Sequence, residues 1–425
     1  MADPKFRAFL ASMAKKWGDG ALIPLTAAYP KLARASWGNL QLDLASGGGF
    51  ARGRAHRILG PESSGKSQTP LRAYAANQRR CNVCWKMHPY AEAMPSLPMD
   101  GHDFVPFRVA WVDAEGSTAT DWVERHGIAL PPEDAPLEDQ HFHISRPGYA
   151  QEAVDILVQL VRGRHFAMVV FDSIGGLAST DELEKSAEDR AKISDTALLM
   201  NRAMRILTAE LASREDPERG KPAVFLINHV YAAIDPYGPK DFTRGGRGQN
   251  YLSSFDLYLE RRNYMLRDGT VKIPVAYAGG ASDEDVVKAG IRFMVRKSKI
   301  STPGRAGEYW SYVSETADGR RPGDVDCGAS LLDLAERYGV IKSMGKVAGY
   351  VRVATGEALE TSHERLAEVL NTNDALQREI TDDLMRAIDT QGGTNGAPGQ
   401  VDGSTAAQAG AAPDEPASAA CAQAG

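Results

Sequence analysis

Apolar positions along the chain fall into two alternating regimes. Short, densely apolar runs, most of them rich in β-branched or aromatic residues, occur at HRILG (56–60), FRVAWVDAE (107–115), HFAMVVFDS (165–173), AVFLINH (223–229) and DLYLERR (256–262). Between them, AQEAVDILVQLVRG (150–163) and ISDTALLMNRAMRILTAELAS (193–213) repeat their apolar residues at helical spacing. Buried strands alternating with amphipathic helices predict an α/β core with a mainly parallel sheet flanked by helices. Ligands of such sheets lie beyond the carboxyl ends of the strands.

Outside this core, residues 1–35 read as a short helix and a turn, with Phe6, Phe9, Leu10 and Met13 at helical spacing and Gly18 and Gly20 as the stop. That helix either packs on its own domain or serves as an arm for a neighbour. The core spans 36–326 and ends in two further strands, IRFMVRKSKI (291–300) and GEYWSYVS (307–314), separated from the earlier ones by a loop, YAGGASDEDVVKAG (277–290). Residues 81–106 carry four prolines without a period and read as an inserted loop. From 327 to 390 the pattern turns helical, predicting a second, small α/β or mostly α domain. Residues 391–425, built of Gly, Ala, Gln, Pro and Ser with three charges, are expected to be disordered.

Composition narrows the partners. The net charge of −6 argues against a basic coat for nucleic acid, but it leaves room for a local basic surface. No apolar run is long enough to span a membrane, and the N-terminal segment has no signal-peptide core. Four cysteines in 425 residues do not make a disulfide framework, which fits a cytoplasmic protein.

The strongest chemical signal is GPESSGKS, Gly60 to Ser67, which fits the phosphate-loop pattern G-x-x-x-x-G-K-[ST] between an apolar strand and a helical stretch. Gly60, Pro61, Glu62, Ser63, Ser64 and Gly65 form the cradle, whose amides face phosphate oxygens. Lys66 reaches the β- and γ-phosphates, and the Ser67 hydroxyl ligates magnesium. Pro70 falls in the first turns of the following helix, where it is expected to distort or shorten them. Asp172, ending an apolar strand, stands where a carboxylate holds a magnesium-bound water. Glu115 ends another strand and is placed to deprotonate an attacking water, although it and Asp113 also fit as ordinary loop acids. Asn228 and His229 end a further strand as polar groups that either sense a γ-phosphate or are satisfied by the backbone.

These motifs, in this order, resemble the RecA-family DNA recombinases, and more closely the phage UvsX-type branch; LINH and CGASLLDLAERYGVI lean that way. The resemblance runs from AKKWGDGALIPL to about residue 390 and includes SWGNLQLDLASGGGFARGRAHRIL ahead of the phosphate loop. It implies a RecA-type P-loop NTPase core, an N-terminal oligomerisation arm and a C-terminal DNA-gathering domain. It also implies an ATPase that is stimulated by DNA, forms filaments on single-stranded DNA and exchanges strands with homologous duplex DNA. Residue by residue, it gives Glu115 as catalytic base and Trp122 as the ring stacked on adenine. His229 becomes the coupler between γ-phosphate and DNA, and Lys297 with Lys299 a cation pair inserted into the neighbouring subunit's ATP site. DNA contact is implied for an acidic stretch, 179–194, and for 229–251, where Lys240, Arg244 and Arg247 alternate with Gly245, Gly246 and Gly248, and Phe242 and Tyr251 offer rings for stacking on bases. Single-strand-binding and mediator proteins are the further partners the family suggests, and a phage-encoded chain would work in its host's cytoplasm. A ring helicase of the same fold and a non-catalytic recombination mediator are the alternatives.

The insert also raises zinc. Cys81, Cys84, His88 and His102 are ligands of the right kind, with a clean C-x2-C pair and two loosely spaced histidines. Two reduced thiols in a loop is the other reading.

Overall fold

The computed structural model describes residues 3–18, 22, 32–87, 102–176, 178–180, 194–213, 220–232, 241–243, 248–267, 269–272, 286–345 and 349–392. The chain divides into two compact units, Met1–Ala33 and Arg34–Gly425. In the first, α1 (Pro4–Trp17) starts where the Asp3 side chain accepts the Lys5 N–H at 2.9 Å, and it ends at Gly18, φ +88°. It buries none of its residues, and Phe6 and Phe9 stack on each other in the open.

The second unit opens with β1 (Arg34–Ala35), α2 (Leu40–Ser46), β2 (Phe50–Ala51), β3 (Ala55–Gly60), α3 (Gln68–Ala75), β4 (Val109–Asp113), α4 (Thr120–Arg125) and β5 (Phe142–Ser145). It continues with α5 (Ala150–Gly163), β6 (Met168–Asp172), α6 (Ser194–Ala212), β7 (Ala223–Ala232), β8 (Asp241–Thr243), α7 (Gly248–Leu252), β9 (Phe255–Leu266), β10 (Val271–Lys272), β11 (Val286–Ser298) and β12 (Ala306–Tyr312). Last come α8 (Cys327–Arg337), β13 (Ile341–Ser343), β14 (Tyr350–Arg352), α9 (His363–Thr372) and α10 (Asp374–Gly392).

The main sheet runs β12-β11-β9-β3-β7-β6-β4-β5. From β9 to β5 every pairing is parallel; β11 and β12 extend one edge antiparallel. The predicted α/β class is the observed one. Alternation along β7 explains the two-sided core. Val224 and Leu226 face the layer in which α5 (Ala153, Val154, Leu157, Val161) meets α6 (Met200, Met204, Leu207). Phe225 faces the other way, into a ring cluster with Trp37, Phe50 and His56.

The segment before β3 is rigid for local reasons. The Asn39 side chain caps α2, accepting from Gln41 and Leu42 amides, while buried Asp43 accepts the Trp37 N–H at 2.7 Å and the Ser36 hydroxyl at 2.5 Å. A Cβ at Gly49 would sit 2.1 Å from the Ala35 carbonyl oxygen, so only glycine closes this turn.

Two features differ from the sequence expectation. β5 was not anticipated. β11 begins at Val286, inside the stretch read as loop, and pairs with β9 from that residue on. The expected shortening at Pro70 is present: the Thr69 N–H already bonds the Gly65 carbonyl at 3.1 Å and Ser67 has helical backbone, but Pro70 has no N–H for the Lys66 carbonyl, and the regular helix α3 opens only at Gln68. At the chain's end, α8 to α10 form a small core around Leu332, Leu366, Ile380 and Leu384, continuous with Leu40 and Leu44 of α2. The stretch from 393 on lies outside the described residues. Among those described, no helix is long and apolar enough to cross a membrane.

Candidate functional site: a phosphate loop at the carboxyl strand ends

β3 is buried along its whole length and delivers Gly60 at its carboxyl end. A Cβ on Gly60 would meet the Leu259 carbonyl oxygen and Ser64 Oγ, each at 2.4 Å. Ser63 (φ +57°) and Gly65 (φ +85°) take left-handed backbone, the conformation that curls successive amides around an anion. The Pro61 carbonyl accepts from Ser64 Oγ at 2.8 Å and from Lys66 Nζ at 2.5 Å. Burial lowers the Lys66 pKa, and the carboxylates of Asp172, Glu115 and Glu62 oppose that shift. A buried ammonium resting on a loop carbonyl is ready to exchange that oxygen for a phosphate oxygen.

Asp172 ends β6 in register with Asp113 of β4. Burial raises its carboxyl to about 7; the Ser67 hydrogen bond resists, Glu115 and Asp113 add to the rise, and Lys66 opposes it. Ser67 and Asp172 thus sit together, a hydroxyl and a carboxylate beside a cluster of acids, which is the donor set a hard divalent cation takes. The two strand-end acids of β4 separate by environment. Asp113 accepts the amides of Ser117 and Thr118 at 3.2 and 3.0 Å and so builds the turn. Glu115 is half-exposed; its Oε1 accepts from the Ser173 hydroxyl and, at 3.0 Å, from His229 Nε2.

That last contact joins two distant motifs. His229 lies in β7, which runs on to Ala232; β8 then pairs back on it, with Phe242 opposite Tyr231. Lys240, Arg244, Gly245, Gly246 and Arg247 lie outside the described residues, as does most of the acidic stretch from 179. The chain resumes at α7, whose amino end is tied down twice. The Gly248 N–H donates to Asn201 Oδ1 at 2.8 Å, and Asn228 Nδ2 donates to Gln249 Oε1 at 3.0 Å, both side chains fully buried. Tyr251, 78% exposed, points its ring outward.

Lys297 and Lys299 are elsewhere. Lys297 pairs with Asp256, which pairs with Arg57 near the start of β3, three residues below Gly60. Strand rise puts about 10 Å of β3 between that level and the phosphate loop, and two strand spacings add to it. Lys297 Nζ is held by the Asn250 carbonyl and by the Ser253 carbonyl at 2.7 Å; Lys299 Nζ is held by the Tyr251 carbonyl at 3.1 Å. Trp122, half-buried on α4, packs edge-on against His126 at 4.6 Å. Cys81, Cys84 and His102 place their ligand atoms within 4.8 Å of one another, and His88 lies outside the described residues.

Two contributors escaped the sequence reading. Ser173 holds Glu115, and its place directly after Asp172 at a strand end was the available signal. Gln249 accepts from the Asn228 side-chain amide, and nothing local marks it.

What fits at such a strand end is a phosphate group, and the class so defined is the P-loop α/β protein. The chain belongs to the RecA family: the family model for the RecA N-terminal domain matches residues 5–91 and 107–316, well over half of its length. The break between the two matched stretches falls within the prolyl segment 81–106. Among curated proteins the chain is similar to the RecA protein of Rhodopirellula baltica, 26% identical over 381 residues that cover 89% of this chain and 84% of the relative. It is also similar to those of Corynebacterium urealyticum, 27% identical with coverage of 89% and 85%, and Ruegeria pomeroyi, 28% identical with coverage of 89% and 90%. These bacterial relatives lend no support to the narrower UvsX-type placement.

Proposed function

We propose that this RecA-family recombination and repair protein is a DNA-stimulated ATPase that assembles as a helical filament on single-stranded DNA, pairs the strand with homologous duplex and exchanges strands. The reading rests on the Glu115–His229 contact, because it couples the residue best placed for hydrolysis to the strand that leads into the basic, glycine-rich stretch. Loop amides and Lys66 hold the β- and γ-phosphates, and Trp122 stacks on the adenine. Ser67 and Asp172 hold magnesium, which neutralises charge on the phosphate oxygens. Glu115 takes a proton from the water that attacks the γ-phosphorus; the bond to the bridging oxygen breaks, and ADP leaves with the electron pair. Loss of the γ-phosphate frees His229 to shift, and β7 passes that shift to the DNA segment. There Lys240, Arg244 and Arg247 grip phosphates, Gly245 and Gly246 allow close approach, and Phe242 and Tyr251 stack on bases.

Lys297 and Lys299 serve the next subunit's triphosphate, consistent with their place at the far end of the sheet from their own loop. The exposed apolar face of α1 packs on a neighbour as an oligomerisation arm, and the 327–390 region gathers duplex DNA. We place the protein in the cytoplasm, with single-strand-binding and mediator proteins as further partners.

The test is strand exchange between homologous DNAs with and without ATP, alongside phosphate release with and without single strands. ATP-dependent exchange is expected, with single-strand-stimulated release that Glu115→Gln lowers by roughly 10²-fold or more. Wild-type release indifferent to single strands would overturn the reading in favour of a mediator, and closed rings in electron micrographs would favour a helicase.

A further inference from the structure

The other end of the sheet carries a second constellation. We propose that Cys81, Cys84 and His102 bind a zinc ion that ties the returning limb at His102 to the cysteine turn at the amino ends of the strands.

The donor set comes first. One ligand atom from each residue lies within 4.8 Å of the other two. Sulfurs on a tetrahedral zinc stand about 3.8 Å apart, as follows from Zn–S bonds near 2.3 Å, so closure needs only a small contraction. Two thiolates and an imidazole form a soft set that suits zinc over magnesium or calcium. The three leave one tetrahedral position for a fourth donor.

His102 is oriented for this role. Its Nδ1 lies 2.7 Å from the Asp103 carbonyl oxygen, which places the proton on Nδ1 and the lone pair on Nε2. That Nε2 is buried and has no hydrogen-bond partner among the described residues. A buried nitrogen left unpaired costs free energy that a metal bond would remove.

The turn that carries both cysteines is built in advance. The Trp85 N–H bonds the Cys81 carbonyl at 2.9 Å, the Cys81 N–H bonds the Lys86 carbonyl at 3.0 Å, and Arg80 bridges Met87. The returning limb pairs at Cys81–Pro106, with the Asn82 N–H on the Val105 carbonyl at 2.7 Å. Trp85 holds a left-handed φ of +62°, a genuine outlier for a bulky residue, and is wedged between Phe50 and Phe107 at 5.7 and 5.3 Å. Arg52 Nη1 donates to the Val83 carbonyl at 2.6 Å, and Asn82 Nδ2 to the His165 carbonyl at 3.2 Å. These partners precede β3 and β6, so the site lies at the opposite end of the strands from the phosphate loop. The metal there is a structural clip, and its binding free energy adds to the stability of the cysteine turn and the limb paired with it.

The test uses the full chain purified under reductant, made metal-free by chelation, reloaded with zinc and desalted. About one zinc per chain is expected, with two thiols shielded from a thiol reagent until chelator is added. Cobalt in place of zinc is expected to give the intense ligand-field and sulfur charge-transfer bands of a tetrahedral thiolate site. Cys84→Ser and His102→Ala are expected to lose most of the bound metal. Because either variant could misfold, the wild-type spectrum decides alone. Weak octahedral cobalt bands, zinc that does not survive desalting, or a Cys81–Cys84 disulfide that persists under reductant would each overturn the proposal.

Discussion

The phosphate loop and the cysteine turn hang on opposite ends of one sheet and answer opposite needs. Each carries a non-glycine residue in left-handed backbone, Ser63 at φ +57° and Trp85 at φ +62°. At the phosphate loop the side chain is small, and the polar atoms satisfy each other through exchangeable contacts: Ser64 and Lys66 both rest on the Pro61 carbonyl. At the cysteine turn the side chain is an indole locked between two rings, and backbone bonds close the turn on itself. Strained backbone therefore marks both sites without distinguishing them. What distinguishes them is whether the surrounding contacts can be traded for a ligand that comes and goes.

The contrast breaks most visibly at the lysine pair. Replacing Lys297 and Lys299 by alanine is expected to lower DNA-stimulated ATP turnover by about 10³-fold, as loss of a trans cation does elsewhere. Mixing that variant with Glu115→Gln chains is expected to restore part of the turnover, because some junctions then combine an intact base with intact lysines. No recovery on mixing, or full turnover in the double alanine variant, would place the pair outside the reaction.

A smaller effect tests the turn. Trp85→Ala is expected to cost about 3–5 kcal/mol of stability, as large aromatic truncations in cores do, while nucleotide binding per folded chain is kept. Urea midpoints and nucleotide titration separate the two; a variant equally stable but unable to bind ATP would show that the two ends of the sheet are not independent.

The smallest expected effect concerns His56 in β3. Burial lowers its pKa from 6.5 to about 3, with nearby Arg34 adding to the shift, and its Nε2 accepts the Ala51 N–H at 3.0 Å. The folded state thus takes up the proton later than the unfolded state. Its contribution to stability is complete above pH 6.5 and is lost as pH falls from there toward 3. Unfolding midpoints measured across that window should fall less steeply in His56→Phe than in the wild type, even if the variant is less stable throughout. Parallel profiles would count against a neutral, sealed imidazole.

Local rules reached much of this molecule. The strands were legible because both faces are buried, so their apolar runs are uninterrupted. β5 escaped because Phe142–Ser145 is short and has one exposed apolar residue, Ile144. The start of β11 was masked by the acidic stretch before it. At the candidate site, Lys66, Ser67, Asp172 and Glu115 could be singled out because strand-end chemistry is local in sequence. Ser173 and Gln249 were not assigned, since their partners lie 58 and 21 residues away and only the fold brings them together. Residues Lys297 and Lys299 carry no local signal at all; only the family resemblance pointed to them.

One detail of the lysine pair bears on how a solitary subunit behaves. Both ammonium groups are tethered to main-chain oxygens of α7 and Ser253 within their own chain. If they are to serve an adjoining molecule, those tethers must be released on assembly. Unassembled copies would then keep their activating charges stowed, a safety catch against wasting cellular fuel before any strand has been coated.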